Sequence, residues 1–242
     1  MRSAQVPPGR VTYNTALNTC ARASQWRHGF ALLEEMLAAA VEPNHVTYNA
    51  TISACEKGQQ WWRAVEVSRE MQRRGVAASA VTYGALVSAC EKGSQWERAL
   101  AVLAEMGARG TLPDTITCTA VISACAKATQ WRSTLELLDA MCHSYPATAA
   151  APNSRTYDAV LGACQHSEQW QCALALLPGM TSRRLAPGGY GYAALVSACS
   201  LAGRWCHVLG LLEEMGDRTV QLDPLSCSTL LMECQHLGLK RR

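Results

Sequence analysis

Phenylalanine is almost missing from this chain: one Phe stands against seven Trp and seven Tyr in 242 residues. A chain that filled its core at random would favour Phe over Trp, so the tryptophans mark particular places. Net charge is slight, 22 Lys+Arg against 19 Asp+Glu, or +3. Bulk electrostatic holding of nucleic acid calls for a larger basic excess, so charge alone identifies no partner. No stretch approaches the ~20 apolar residues that a membrane-spanning helix needs, so no membrane partner is expected. The opening MRSAQVPPGR lacks the apolar run of a secretory signal. Twelve Cys include no CxxC pair, and without an export signal they read as reduced thiols rather than a disulfide framework. The six His share no pattern. There is no H-E-x-x-H, no H-x-E joined to a CxxC, and no Gly-rich nucleotide loop. No catalytic residue, metal site, cofactor or small-molecule substrate is therefore expected, and the visible chain does not read as an enzyme, although a longer parent could be one. An apolar content of 49% excludes a disordered chain.

What is present is a beat. Trp falls at 26, 61, 96, 131, 170 and 205, at steps of 35, 35, 35, 39 and 35, with Trp62 the one extra. Met keeps the same period at 36, 71, 106, 141, 180 and 215, and Cys at 20, 55, 90, 125, 164, 199 and 234. Three residue types on one period define a 35-residue repeat. After a tail at 1–9 the repeats run 10–44, 45–79, 80–114, 115–153, 154–188 and 189–223, with a half repeat at 224–242. The fourth carries a four-residue insertion in CHSYPATAAAPN after Met141.

Each repeat reads as a helical hairpin. In the second, Tyr48, Thr51, Ile52 and Cys55 share one helical face, and Gly58 is expected to close that helix as a C-terminal glycine does. Trp61, Ala64, Val65 and Met71 form the face of the next helix. Two helices of roughly 12 residues, each about 18 Å long, follow from this spacing. Such a hairpin cannot bury its apolar stripe alone. Stacking on neighbours solves that, and the expected fold is all-α, a right-handed α-α superhelix (solenoid). The Trp, Met and Cys columns read as core. Pro178-Gly179 is expected to end or kink the second helix of the fifth repeat early. A final helix from Leu225 to about His236 has no partner helix in the sequence. Either it caps the last groove alone, or the chain is a fragment or assembles with another.

The repeats open with Val-Thr-Tyr-Asn (11–14, 46–49) or Val-Thr-Tyr-Gly (81–84) and close on Met followed by Pro-Asn or Pro-Asp (43–44, 113–114, 152–153). This pattern resembles the pentatricopeptide repeat (PPR) family, in its plain 35-residue P-type form, over residues 10–242. Cys118 and Cys227 replace the Tyr, and the fifth and sixth repeats drift. The resemblance implies sequence-selective binding of single-stranded RNA, one nucleotide per repeat, in RNA processing, stabilisation or expression. It implies that the fifth and last residues of each repeat read the base: Asn14 with Asn44, Asn49 with Ser79, Gly84 with Asp114, Thr119 with Asn153, Asp158 with Gly188, and Ala193 with Asp223. It implies that second residues sandwich the bases: Val11, Val46, Val81, Ile116, Arg155, Tyr190 and Leu225. Asn offers both a donor and an acceptor, and Ser or Thr a rotatable hydroxyl. By the family's code the track is 5′-Y-C-(G)-A-n-(G)-3′, with Gly84 and Ala193 unable to make the fifth-position bond and Asp158-Gly188 outside the code.

Other readings stay open beside it. A polar residue near a helix start can simply cap it. Lys57, Lys92 and Lys127 recur near the end of the first helix, as phosphate contacts or as solvated turn lysines. The alternative function is a protein–protein interaction scaffold of helical-repeat type, and other RNA-processing proteins are possible partners. By resemblance the compartment is mitochondrion or plastid, with cytoplasm open. The first acidic residue is Glu34, which suits a transit peptide by composition, but that stretch is already the first repeat.

Overall fold

A computed structural model describes residues 8–144, 150–167 and 169–217, and the expected half repeat with its helix from Leu225 lies outside them. The described residues form twelve helices and no strand: α1 (Arg10–Arg22), α2 (Trp26–Ala38), α3 (His45–Lys57), α4 (Trp61–Arg73), α5 (Ala80–Lys92), α6 (Trp96–Ala108), α7 (Thr115–Lys127), α8 (Trp131–His143), α9 (Ser154–His166), α10 (Trp170–Ser182), α11 (Gly189–Leu201) and α12 (Trp205–Asp217). The chain is thus a series of helical hairpins of the kind the period implied. It divides into two compact bodies, Met1–Ala124 and Cys125–Arg242. Within the first, α1 packs on α2 and α3, and α3 on α4 and α5. Within the second, α9 packs on α8, α10 and α11, and α11 on α12. No described helix is long and apolar enough to cross a membrane.

The turn inside each hairpin has one recurrent chemistry. Gln25, Gln60, Gln95 and Gln130 each send their backbone N–H back to a column cysteine carbonyl, Cys20, Cys55, Cys90 and Cys125, at 2.9 Å. This is the long bond of a Schellman ending, and it places a left-handed residue just before the Gln. That residue is Ser24, Gln59, Ser94 or Thr129, with φ between 54° and 57°. The glycine expected to close the helix sits one place earlier and is not left-handed: Gly58 has φ −79°. Its reason is packing. A Cβ at Gly58 would meet the Trp26 ring, Cγ at 2.9 Å, and one at Gly93 would meet Trp61 Cγ at 2.7 Å. The Gln side chain closes the turn too, Gln60 Nε2 donating to Gly58 O at 3.2 Å and Gln169 Nε2 to Ser167 O at 3.1 Å.

The core of the first body joins Leu33, Tyr48, Ile52, Cys55, Val67, Met71, Tyr83, Leu86 and Met106, all buried, with Trp26 and Trp61 packed at its margin. Across three of the described hairpins runs a Tyr-to-Glu clasp spanning 22 residues: Tyr13 to Glu35 Oε1 at 3.0 Å, Tyr83 to Glu105 Oε1 at 3.4 Å, and Tyr192 to Glu214 Oε1 at 3.1 Å. In the second repeat Glu70 is held instead by Arg73 and Arg74 at 2.7 and 2.6 Å, and the buried Tyr48 hydroxyl has no partner among the described residues. The off-beat Trp62 is half exposed and carries the Arg63 guanidinium 4.1 Å above its ring.

Pro178 does not end its helix: α10 runs through it to Ser182, as long as its counterparts. A proline removes one ladder bond. The last turn is retained by fully buried Met180 and by hydroxyl bonds from Thr181 to Leu177 O and from Ser182 to Gly179 O, both 2.9 Å.

The column cysteines Cys55, Cys90, Cys125, Cys164 and Cys199 are buried while Cys20 is half-buried, and burial pushes Cys55, Cys90 and Cys125 up to about 11 and Cys164, with the off-column Cys118, up to about 12. An unfolded thiol titrates near ~8.5. The native state therefore keeps protons that the unfolded chain releases, and stability falls as pH rises from about 8.5 towards 11–12, with no effect below that window. We expect the melting temperature to be level near neutrality and to drop above about pH 9. A flat profile up to pH 11 would contradict the burial of these thiols. Among the described residues no three His, Cys, Asp or Glu come together as metal ligands.

Candidate nucleic-acid interface

The first residue class to stand out is apolar and exposed. Val11, Val46, Val81, Ile116 and Tyr190 all lie in the first turn of a first helix and face solvent, Val81 at 69% and Ile116 at 78%. Arg155 takes the same place on α9 and is also exposed. Leu225 and Asp223 lie outside the described residues. Aliphatic side chains repeated at one exposed address, on helices whose other apolar faces are buried, mark a contact surface rather than a core.

In four repeats the last residue caps the next first helix through its side chain. Asn44 accepts from Thr47 N–H at 3.1 Å, Ser79 from Thr82 N–H at 3.4 Å, Asp114 from Thr117 N–H at 2.7 Å and Asn153 from Thr156 N–H at 2.9 Å. In three of these the Thr hydroxyl accepts the cap residue's own N–H, closing a capping box. Gly188 sits at the same place before α11 with no side chain to cap it. A capping role is therefore present at these positions whatever else they do.

The fifth residue sits one turn into the first helix and reaches across to the next repeat. Thr47 Oγ1 donates to Asn14 Oδ1 at 2.7 Å, and Thr82 Oγ1 donates to Asn49 Oδ1 at 2.7 Å. Asn14 Nδ2 lies 3.5 Å from Asn44 Oδ1, which brings the first pair together directly. Asn49 and Ser79 meet through Thr82, whose Oγ1 is also 3.1 Å from Ser79 Oγ. A Cβ at Gly84 would lie 3.5 Å from Thr117 Oγ1, so the third repeat has the same frame without the reading side chain. Thr119 is buried in the first body, while Asn153 caps α9 in the second. Ala193 is half-buried on α11.

Asp158 departs from this pattern. The threonine of the next repeat is replaced by Gly191, and a Cβ there would collide with Asp158 Oδ1. The carboxylate instead takes the Gly188 N–H, its Oδ1 is buried without a partner, and burial raises its pKa. This residue is tied into the start of α11 rather than presented outward. Tyr190 crosses the same region, its hydroxyl 2.8 Å from where a Cβ on Gly162 would be.

Between α1 and α3 lies a groove of about 540 Å³ lined by Asn18, Arg22, Val46, Asn49, Ser53 and Lys57. It gathers an apolar platform, two amides and two cations, which suits a base together with its phosphate. Lys92 differs from Lys57, because its Nζ is paired with Glu56 Oε1 at 2.8 Å. The threonine column at 47, 82, 117 and 156 carries the geometry of the site, yet sequence reasoning left it out. Its signal was the Thr in every Val-Thr-Tyr opening, read there as a motif letter without a role.

No curated protein matches the chain. The profile of the pentacotripeptide-repeat region of PRORP matches residues 47–232, and that of the PPR repeat family residues 8–57. Among solved structures the chain is similar to the pentatricopeptide repeat protein PPR10 from maize, at 30% identity and a TM-score of 0.65, over 93% of this chain and 32% of that one. The chain thus spans about a third of PPR10. PPR10 in complex with an 18-nt psaJ RNA element is similar at 17% identity and a TM-score of 0.50, over 97% of this chain and 44% of that one. The PPR domain of Arabidopsis thaliana protein-only RNase P 1 in complex with tRNA matches at 16% identity and a TM-score of 0.69, over 79% of this chain and 98% of that domain. At those two lower identities the likeness is one of fold. With one profile covering most of its repeats, and with hairpins on the PPR plan, the chain belongs to the pentatricopeptide repeat family.

Proposed function

We propose that this chain is a single-stranded RNA-binding array that selects bases and acts in the processing, stabilisation or expression of RNA in a mitochondrion or plastid. The observation that carries this reading is the second repeat. Exposed Val46 and Val81 flank the Asn49–Ser79 pair, and the groove at Asn49 continues to Arg22 and Lys57. Valine offers an apolar face to a base, Asn49 an amide to its edge, and the cations answer the phosphate. Two relatives are known with RNA bound: PPR10 with an 18-nt psaJ element, and the PPR domain of RNase P 1 with tRNA. The likeness is to the PPR domain of the RNase, so the array supplies RNA binding and no cleavage chemistry of its own. The reading pairs and sandwiching residues belong to this proposal, with the third, fifth and sixth repeats reading weakly because Gly84, Asp158 and Ala193 present no free donor to a base.

Binding to short single-stranded RNA is expected to exceed binding to the same sequence as a duplex, with modest affinity because aliphatic stacking falls at or below the low end of ~1–3 kcal/mol per base. Lys57→Gln should weaken all RNAs alike and flatten the salt dependence by about 0.7 in slope. Equal binding to duplex, or no binding to a random single-stranded pool, would turn the reading to a protein-interaction scaffold, which a pull-down then tests.

A further inference from the structure

The junction between the second and third repeats contains a chain of hydrogen bonds with a direction. Ser79 N–H is accepted by Thr82 Oγ1 at 3.0 Å, and Ser79 Oγ lies 3.1 Å from the same atom. Thr82 Oγ1 has one proton to give, and Asn49 Oδ1 at 2.7 Å is its nearest acceptor. Thr82 is fully buried, so no water competes for that proton. Asn49 lines the groove, and its Nδ2 has no partner among the described residues. An amide whose oxygen is pinned must turn its NH₂ the other way.

We propose that Thr82 is a positioning residue for specificity: by holding Asn49 Oδ1 it fixes the amide as a hydrogen-bond donor towards the groove. This rests on the RNA-binding reading above. A fixed donor selects a base with acceptors at the middle and lower Watson–Crick edge. Cytosine has them at N3 and O2, whereas uracil carries a hydrogen on N3. An unpinned amide can rotate and offer either its donor or its acceptor, and it then accommodates both. The fifth residue therefore names a letter only in combination with the third residue of the following repeat. Thr47 stands in the same relation to Asn14, with the difference that Asn14 Nδ2 faces Asn44 Oδ1 at 3.5 Å and is less available.

The test is a competition between two single-stranded RNAs that carry the expected track and differ by C or U at the nucleotide facing the second repeat. The parent chain should prefer C by about tenfold, near the low end for a mismatched base. Thr82→Val keeps the shape and removes the hydroxyl, and its preference should fall to within about twofold while preferences at the other nucleotides stay as they were. Thr82→Ser restores a hydroxyl and should restore the preference, a rescue that a packing role would not produce. Should Thr82→Val fail to fold, Asn49→Asp gives a second route: the Thr82 proton goes to one carboxylate oxygen, the other faces the groove as an acceptor, and the preference should reverse to U. A Thr82→Val chain that discriminates like its parent, or an Asn49→Asp chain that still selects C, overturns the role of Thr82. A parent that binds RNA without discriminating at this nucleotide overturns the reading by Asn49 and the role of Thr82 together.

Discussion

Met71→Ala should unfold the chain at a temperature lower by on the order of 10 °C, from a loss of about 2–5 kcal/mol. Met71 is completely buried in the cluster that also holds Leu33, Tyr48, Ile52, Val67, Tyr83 and Met106. Those side chains come from α2, α3, α4, α5 and α6, so one truncation loosens contacts in three hairpins at once. Neighbouring tyrosines are rigid and fill the gap poorly, which places the cost above that of the lost transfer energy alone. Met71→Leu conserves volume and should cost less than about 1.5 kcal/mol. A thermal melt followed by circular dichroism separates the two. Equal melting for Met71→Ala and the parent would mean that the methionine column is not the seam between hairpins. Such seams suit methionine because its unbranched chain adapts to irregular gaps.

Ser79→Asp should change the base preferred at the second repeat from C to U, by about 1 kcal/mol per mismatched base, with stability moved by no more than about 0.5 kcal/mol. Stability is spared for a structural reason. Ser79 is the N-cap of α5 and accepts the Thr82 N–H. Asp caps as well as Ser does, and its charge suits the positive end of a helix. Specificity moves because an ionised Asp only accepts, and uracil presents an N–H at N3 where cytosine presents a lone pair. Ser79→Ala is the necessary companion, since it removes the cap and should cost about 1 kcal/mol of stability without creating a new preference. If Ser79→Asp still prefers C while binding RNA, then residue 79 is a cap and nothing more.

The fold was legible because its determinants are local and periodic. Trp, Met and Cys recur at one spacing, and among the described residues each holds the same kind of place: Trp opening a second helix, Met buried at its end, Cys on the first helix, buried in all but Cys20. What escaped was pairwise. The clasp from Tyr13 to Glu35 joins residues whose types are individually ordinary, and only the shared interval of 22 residues marks it. The interval even accounts for an exception, since the fourth repeat has Cys118 where the tyrosine would be and Ala140 where the glutamate would be. Gly58 does close α3, but its reason is pairwise too. Glycine at a helix end suggests left-handed backbone, but here the neighbour that excludes a side chain is Trp26, from the preceding repeat. At the interface the second-position residues came from the family resemblance alone, and the structure adds that Val11, Val46, Val81, Ile116 and Tyr190 share one exposed address. The buried threonines were not visible, because their part is played against a side chain 33 residues earlier in sequence.

The placement of those threonines has a consequence for anyone who would shuffle these repeats as cassettes. A segment cut at 45–79 takes Asn49 and Ser79 with it, but leaves behind the hydroxyl that orients Asn49. Its meaning would then depend on whatever is ligated downstream. The natural chain already contains one such mismatched splice: Asp158 precedes a repeat that opens with Gly189, Tyr190 and Gly191, and its carboxylate collapses onto the Gly188 amide. Cassettes cut just after the third residue of each repeat, from Tyr48 to Thr82 for example, would carry each fifth residue's pinning partner, and should keep their letter in any order.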